Sequence, residues 1–112
     1  MSGISTHVLD TSLGKPAVGV SVVLEVESPN GGWKEAGRGA TNADGRIPDL
    51  LKASLERMKY RLTFETGAYF EARRVSCFYP RVVIVFEVRD ADQHHHIPLL
   101  LSPYGYSTYR GT

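Results

Sequence analysis

Apolar and polar side chains alternate with a period of two along most of this chain, the pattern of half-buried β-strands. Between Gly19 and Glu27, Val20, Val22, Leu24 and Val26 share one face, opposite Ser21, Val23, Glu25 and Glu27, so one face of that strand meets a core. The same alternation sets Tyr60, Leu62 and Phe64 against Arg61, Thr63 and Glu65 in a strand over 59–66. Further strands are predicted over 4–10, 33–40, 82–88, 95–102 and 106–110.

Turn residues punctuate the strands. Residues 11–16, Thr-Ser-Leu-Gly-Lys-Pro, close the first one; residues 28–32, Ser-Pro-Asn-Gly-Gly, form a loop. Asn42-Ala43-Asp44-Gly45 is a tight turn, because Asp-Gly supplies the backbone angles such turns need. Ser102-Pro103-Tyr104-Gly105 joins the last two strands. Two segments break the β pattern. Residues 50–58 have helix formers but no caps and read as loop or a single turn, while residues 67–75 read as a short helix. Seven or eight short strands at near-regular spacing predict an all-β antiparallel sandwich, without repeats or linkers.

Length and composition narrow the field. A chain of 112 residues is one domain, 1–112, able to bury roughly 65% of its unfolded surface. Its 42% hydrophobic and 22% charged residues are those of an ordinary globular protein. With net charge +1 and scattered Lys and Arg, nucleic acid is not an expected partner. No stretch reaches the ~18 apolar residues of a membrane span, so no membrane is expected either. Met1 to His7 lack the basic and apolar regions of a secretory signal. A single cysteine, Cys77, excludes an intrachain disulfide and suits a reducing compartment, so the cytoplasm is the expected location.

Parity then sorts the chemistry. After His94, Ile97, Leu99 and Leu101 point to the core, and His94, His96, Pro98 and Leu100 point away from it. In the first strand Ile4, Thr6 and Val8 oppose Ser5, His7 and Leu9; in the last, Ser107, Tyr109 and Gly111 share a face. If these strands lie in one sheet, one outward face shows His7, His96, Leu100, Ser107 and Tyr109. Imidazoles, hydroxyls and a leucine together suit a lined cleft or a subunit interface better than a solvated face.

Several segments resemble 5-hydroxyisourate hydrolase, the transthyretin-related branch of the transthyretin superfamily. They are Thr6-His7-Val8-Leu9-Asp10-Thr11, residues 41–46, residues 62–70, Phe78-Tyr79-Pro80 and the tail from Asp92. The terminal Tyr109-Arg110-Gly111-Thr112 is the most discriminating, being similar to the family's Tyr-Arg-Gly-Ser. The resemblance implies a transthyretin-like sandwich of two four-stranded sheets with one short helix. It implies a homotetramer with active sites in a central channel, and ring opening of 5-hydroxyisourate in urate breakdown, without a cofactor. It carries His7, Arg46 and His96 over as catalytic, and Tyr109, Arg110, Gly111 and Thr112 as substrate-binding beside Leu100 and Ser107. Thr112 keeps the hydroxyl of the family's Ser, and His95 stands where the family usually has Tyr.

Hydrolysing a cyclic amide needs a water, a proton acceptor and positive charge at the developing oxyanion. Imidazoles at His7 and His96 suit the second task, and the planar fork of Arg46 the third. Taken without the resemblance, His7 reads as a structural strand residue and Arg46 as a solvated hairpin residue; His94 and His95 keep that plain reading. His94 and His96 project to one side of a strand roughly 6–7 Å apart, and with His7 would form a zinc triad. An activated ring amide needs no Lewis acid, so no metal is expected. The competing reading is a non-catalytic carrier of the transthyretin type, which would have no use for paired histidines beside an arginine.

Overall fold

Two β-sheets enclose the core of the computed structural model, which describes residues 3–112. In chain order the elements are β1 (Gly3–Asp10), β2 (Lys15–Pro16), β3 (Ser21–Glu27), β4 (Trp33–Ala40), β5 (Arg46–Leu51), β6 (Lys59–Phe64), α1 (Thr66–Ala72), β7 (Val82–Glu87), β8 (His94–Ser102) and β9 (Gly105–Thr108). One sheet runs β4-β3-β6-β7; the other runs β2-β1-β8-β9, with β5 also paired to β1. The expected sandwich with one short helix is therefore present.

The alternation seen in the sequence becomes burial. Val22 and Leu24 on β3, Leu62 and Phe64 on β6, and Val8, Leu99 and Leu101 from the opposite sheet are all essentially inaccessible. Each such side chain contributes roughly 1.5–3 kcal/mol by leaving water. Ile97, Leu99 and Leu101 face this core as parity required, and His95 is buried on their side.

The last strand ends at Thr108, short of the expected 110, and three further details depart from the sequence reading. Residues 46–51 form strand β5, where a hairpin residue and the start of a loop were expected. Ile4, Thr6 and His7 of β1 pair with Leu51, Ile47 and Arg46, with a bulge between Ile4 and Thr6. The β5 main chain also passes so close to β4 that a Cβ on Gly37 would lie 2.2 Å from the Leu50 carbonyl. Second, β1 and β8 pair in parallel rather than antiparallel, from Gly3–His94 to Asp10–Leu101. Parallel pairing needs a long crossover, and here the whole second sheet lies between them in sequence. Third, the helix ends before its expected limit at Val75, because Arg74 turns into the left-handed region (φ 57°).

A buried polar clamp ties α1 to the sheet that carries the site. Tyr69 donates its hydroxyl proton to Asp10 Oδ2 at 2.8 Å, and Ser12 N donates to Asp10 Oδ1 at 3.0 Å. Burial alone would raise the Asp10 pKa, but donation from Ser12, Tyr69 and the Leu13 backbone outweighs it and holds the carboxyl below its usual range. Burial and the hydrogen bond to Asp10 push the Tyr69 hydroxyl up to about 12. Among the described residues no helix is long and apolar enough to cross a membrane.

Candidate active site

Strand β1 is the spine of the site because it has neighbours on both sides. Its residue His7 lies opposite Arg46 of β5 and level with Pro98 of β8. Ser5, two residues away on the same face, is level with His96, which in turn bridges to Gly111 of the tail. Four chain segments therefore converge on one outward sheet face.

Arg46 owes its position to the turn before it. Asn42 Oδ1 accepts from Asp44 N at 2.9 Å and Arg46 N at 3.0 Å, and Gly45 N donates to the Asn42 carbonyl at 2.8 Å. Gly45 takes φ 73°, and a Cβ there would lie 2.5 Å from the Val8 carbonyl. The Asp-Gly turn read in the sequence thus sets the first residue of β5.

A pocket of about 280 Å³ opens on this face, lined by Ser5, Thr6, Arg46, Pro48, His94, His96 and Thr112. His7 stands beside it, across from Arg46. Ser5 Oγ lies 2.7 Å from His94 Nε2 and 2.7 Å from His96 Nδ1, so one hydroxyl joins two imidazoles. The Gly111 main-chain N–H donates to the His96 carbonyl at 2.8 Å. Gly111 also packs against the His96 ring, and a Cβ there would sit 2.7 Å from its Cδ2. Only glycine leaves room for the imidazole.

The surroundings favour the neutral forms of His7 and His96. Burial lowers the His96 pKa first, and the charges of Arg46, His7 and His94 lower it further. His7 is lowered by burial and then by Arg46, against a hydrogen bond to the Asp44 backbone. A neutral imidazole can accept a proton near neutral pH, and Arg46 supplies a lasting positive charge beside it. Such a set can activate water and hold an oxyanion.

Of the residues singled out in the sequence, His7, Arg46, His96, Gly111 and Thr112 come together. Leu100 and Ser107 share the face but are level with Leu9, not with Ser5. Four residues of strand place them about 13 Å from His96. Exposed Tyr109 and Arg110 line a separate cleft with His95, Ile97 and residues 84–87. The Arg110 guanidinium donates to Gln93 Oε1 at 2.8 Å. His95 keeps the structural character read for it, with Nδ1 3.0 Å from the Gln93 carbonyl.

Ser5 and His94 were missed as members of the site. The parity that selected His7 and His96 already placed both on this face, but a serine in a strand carries no signal of its own. Among the described residues no three His, Cys, Asp or Glu side chains are disposed to hold a metal. His94 and His96 instead turn one nitrogen each toward Ser5.

The two-sheet sandwich with one short helix is the architecture of a known family. The HIUase/Transthyretin family model matches residues 4–111, and the chain belongs to that family. Its relatives include the 5-hydroxyisourate hydrolase of Salmonella typhimurium, 46% identical over 97% of this chain and 80% of that protein. The structure of Klebsiella pneumoniae 5-hydroxyisourate hydrolase superposes with a TM-score of 0.89 at 41% identity, covering 100% of both chains. Sea bream transthyretin in complex with thyroxine superposes with a TM-score of 0.92 at 29% identity, over 97% of this chain and 94% of that one.

Proposed function

We propose that this protein hydrolyses 5-hydroxyisourate, opening its ring at a cyclic amide to give 2-oxo-4-hydroxy-4-carboxy-5-ureidoimidazoline in urate degradation. The observation that carries the reading is the convergence of His7, Arg46 and His96 on the face where β5, β1 and β8 pair. Likeness to hydrolases of that name along nearly the whole chain supports the substrate.

A water held between His7 and His96 gives up a proton to one imidazole as its oxygen attacks the ring carbonyl carbon. Arg46 donates to the carbonyl oxygen as it becomes an oxyanion, where a fixed charge stabilises the transition state more than the ground state. Collapse of the tetrahedral intermediate breaks the C–N bond, and the imidazole returns the proton to the leaving nitrogen. The product carries one carboxyl and one N–H more than the ring it came from, balancing the water consumed. Nothing in this sequence calls for a metal or a cofactor.

The proposed working form is a homotetramer in the cytoplasm. Strands β7 and β9 end their sheets, and Val83, Val85 and Tyr106 on them are exposed. Uncovered edges bearing apolar side chains favour pairing with another copy. A second copy facing the histidine pocket would also bring Leu100 and Ser107 to a substrate that their own protomer holds too far away.

The carrier reading has one observation behind it, the likeness to transthyretin holding thyroxine. Two imidazoles and a guanidinium at the pocket favour hydrolysis over passive binding of an apolar ligand. The test is to generate 5-hydroxyisourate with urate and urate oxidase, add the protein, and follow the loss of absorbance. Acceleration over spontaneous decay is expected, and replacing His7, Arg46 or His96 by alanine should lower the rate by roughly 10²–10⁴. No acceleration by the intact protein would leave the carrier reading in its place.

A further inference from the structure

Ser5 is almost wholly buried, His96 is half-buried and His94 is exposed, and the one hydroxyl bridges the two rings at 2.7 Å on each side. A serine hydroxyl carries one proton, and a neutral imidazole carries one N–H on either ring nitrogen. That limits the proton arrangements that satisfy both contacts. In the first, His94 Nε2–H donates to Ser5 Oγ and the hydroxyl donates to His96 Nδ1, so both rings are protonated on Nε2. In the second, His96 Nδ1–H donates to Oγ and the hydroxyl donates to His94 Nε2, so both rings are protonated on Nδ1.

Mixed tautomers fit worse. If both contacting nitrogens lack a proton, they compete for the single hydroxyl hydrogen. If both carry one, the buried hydroxyl is left with no acceptor among the described residues, which is costly for a buried donor.

We propose that Ser5 and His94 are positioning residues that lock His96 to the tautomer of His94 and carry protons between His96 and solvent. The inference deepens the hydrolase reading and rests on it for the role of His96. With both rings protonated on Nδ1, His96 Nε2 offers its lone pair to the attacking water. The resulting imidazolium passes its Nδ1 proton to Ser5 Oγ, as the hydroxyl proton moves to His94 Nε2. His94 then releases its own Nδ1 proton to solvent. His96 is left with Nε2–H, ready to protonate a leaving nitrogen. On that donation the chain runs backwards and His94 takes up one proton from solvent, so the cycle balances.

The surroundings make such an exit useful. His96 faces Arg46 of β5, His7 of β1 and His94 of its own strand, with Thr112 of the tail on the pocket wall. Arg46 and the neighbouring imidazoles disfavour an imidazolium at His96, and the contacts through Ser5 to His94 give its proton a way out.

Nitrogen NMR of the ring-labelled protein, taken above the titration range of its histidines, reads the tautomers directly. The expectation is one tautomer shared by His94 and His96 in the native protein, and independent tautomers in Ser5→Ala. Opposite tautomers in the native protein would overturn the proposal. In turnover assays His94→Ala should lower kcat by roughly tenfold or more with KM little changed, and alter the acid limb of the pH–rate profile. Ser5→Thr, which restores the hydroxyl, should recover most of the activity that Ser5→Ala loses. An unchanged kcat and pH profile in His94→Ala would overturn the relay, and because His94 is exposed this variant remains readable if Ser5→Ala does not fold. The NMR measurement needs no turnover. An inactive native protein with shared tautomers would remove only the hydrolase reading, and an active one with opposite tautomers only the relay.

Discussion

At the scale of single residues, the site depends on two imidazoles that must be neutral and on a glycine that must stay small. His7 and His96 both lie below their usual pKa, through burial first and then the charge of Arg46. Activity is therefore expected to persist as the pH falls through 6.5, the ordinary histidine value. A kcat/KM profile whose acid limb has its midpoint below that value is the expected result; a midpoint above it would contradict the electrostatics of the pocket. Gly111→Ala places a methyl 2.7 Å from His96 Cδ2. The ring must turn or the tail must lift, and a loss of roughly tenfold or more in kcat is expected with little change in melting temperature. Kinetics and calorimetry on the same preparation separate the two effects.

At the scale of elements, β5 is the piece whose placement decides whether a site exists, since it brings Arg46 to His7. Its main chain crosses β4 at Gly37, where a Cβ would lie 2.2 Å from the Leu50 carbonyl. Gly37→Ala should cost about 1–3 kcal/mol as the strands move apart, visible as a lower denaturant midpoint. It should also lower activity by displacing Arg46. Local patterning could not reveal β5. Arg46-Ile47-Pro48-Asp49-Leu50-Leu51 alternates poorly and carries a proline, which suits an edge strand paired on one side. The Asn42–Gly45 turn, by contrast, was legible because its geometry is written in Asn and Gly themselves.

For the whole molecule, four groups make stability depend on pH in the same direction. Burial lowers His7, His95 and His96, and hydrogen bonding lowers Asp10. An unfolded chain binds more protons at these positions than the folded one, so stability is lost as the pH falls. The histidine contribution is full above about 6.5 and declines below it, and the Asp10 contribution begins to decline near about 3.9. Thermal melts should show a falling transition temperature from pH 7 downward, with a shallower slope in His95→Phe, which removes one buried imidazole. The proposed tetramer makes a further demand. Val85→Lys puts a charge on the exposed edge strand β7, where light scattering should show a smaller assembly while circular dichroism stays native.

The chain by itself determined the sandwich and the two faces of its strands, because a period of two assigns each side chain to core or exterior whatever its partners. It grouped His7 with Ser5 and Leu9, and His96 with His94 and Leu100, for the same reason, and the local chemistry of Asn and Gly settled the turn before Arg46. Resemblance to relatives added which of these residues to join. Only the tertiary structure decided that β1 runs parallel to β8, that β5 is a strand, and that Arg110 turns toward Gln93 rather than toward His96. It alone brought Ser5 between His94 and His96. These contacts join residues from 17 to 91 apart in the chain, set by how two sheets close on one core, and no local pattern of hydrophobicity encodes them.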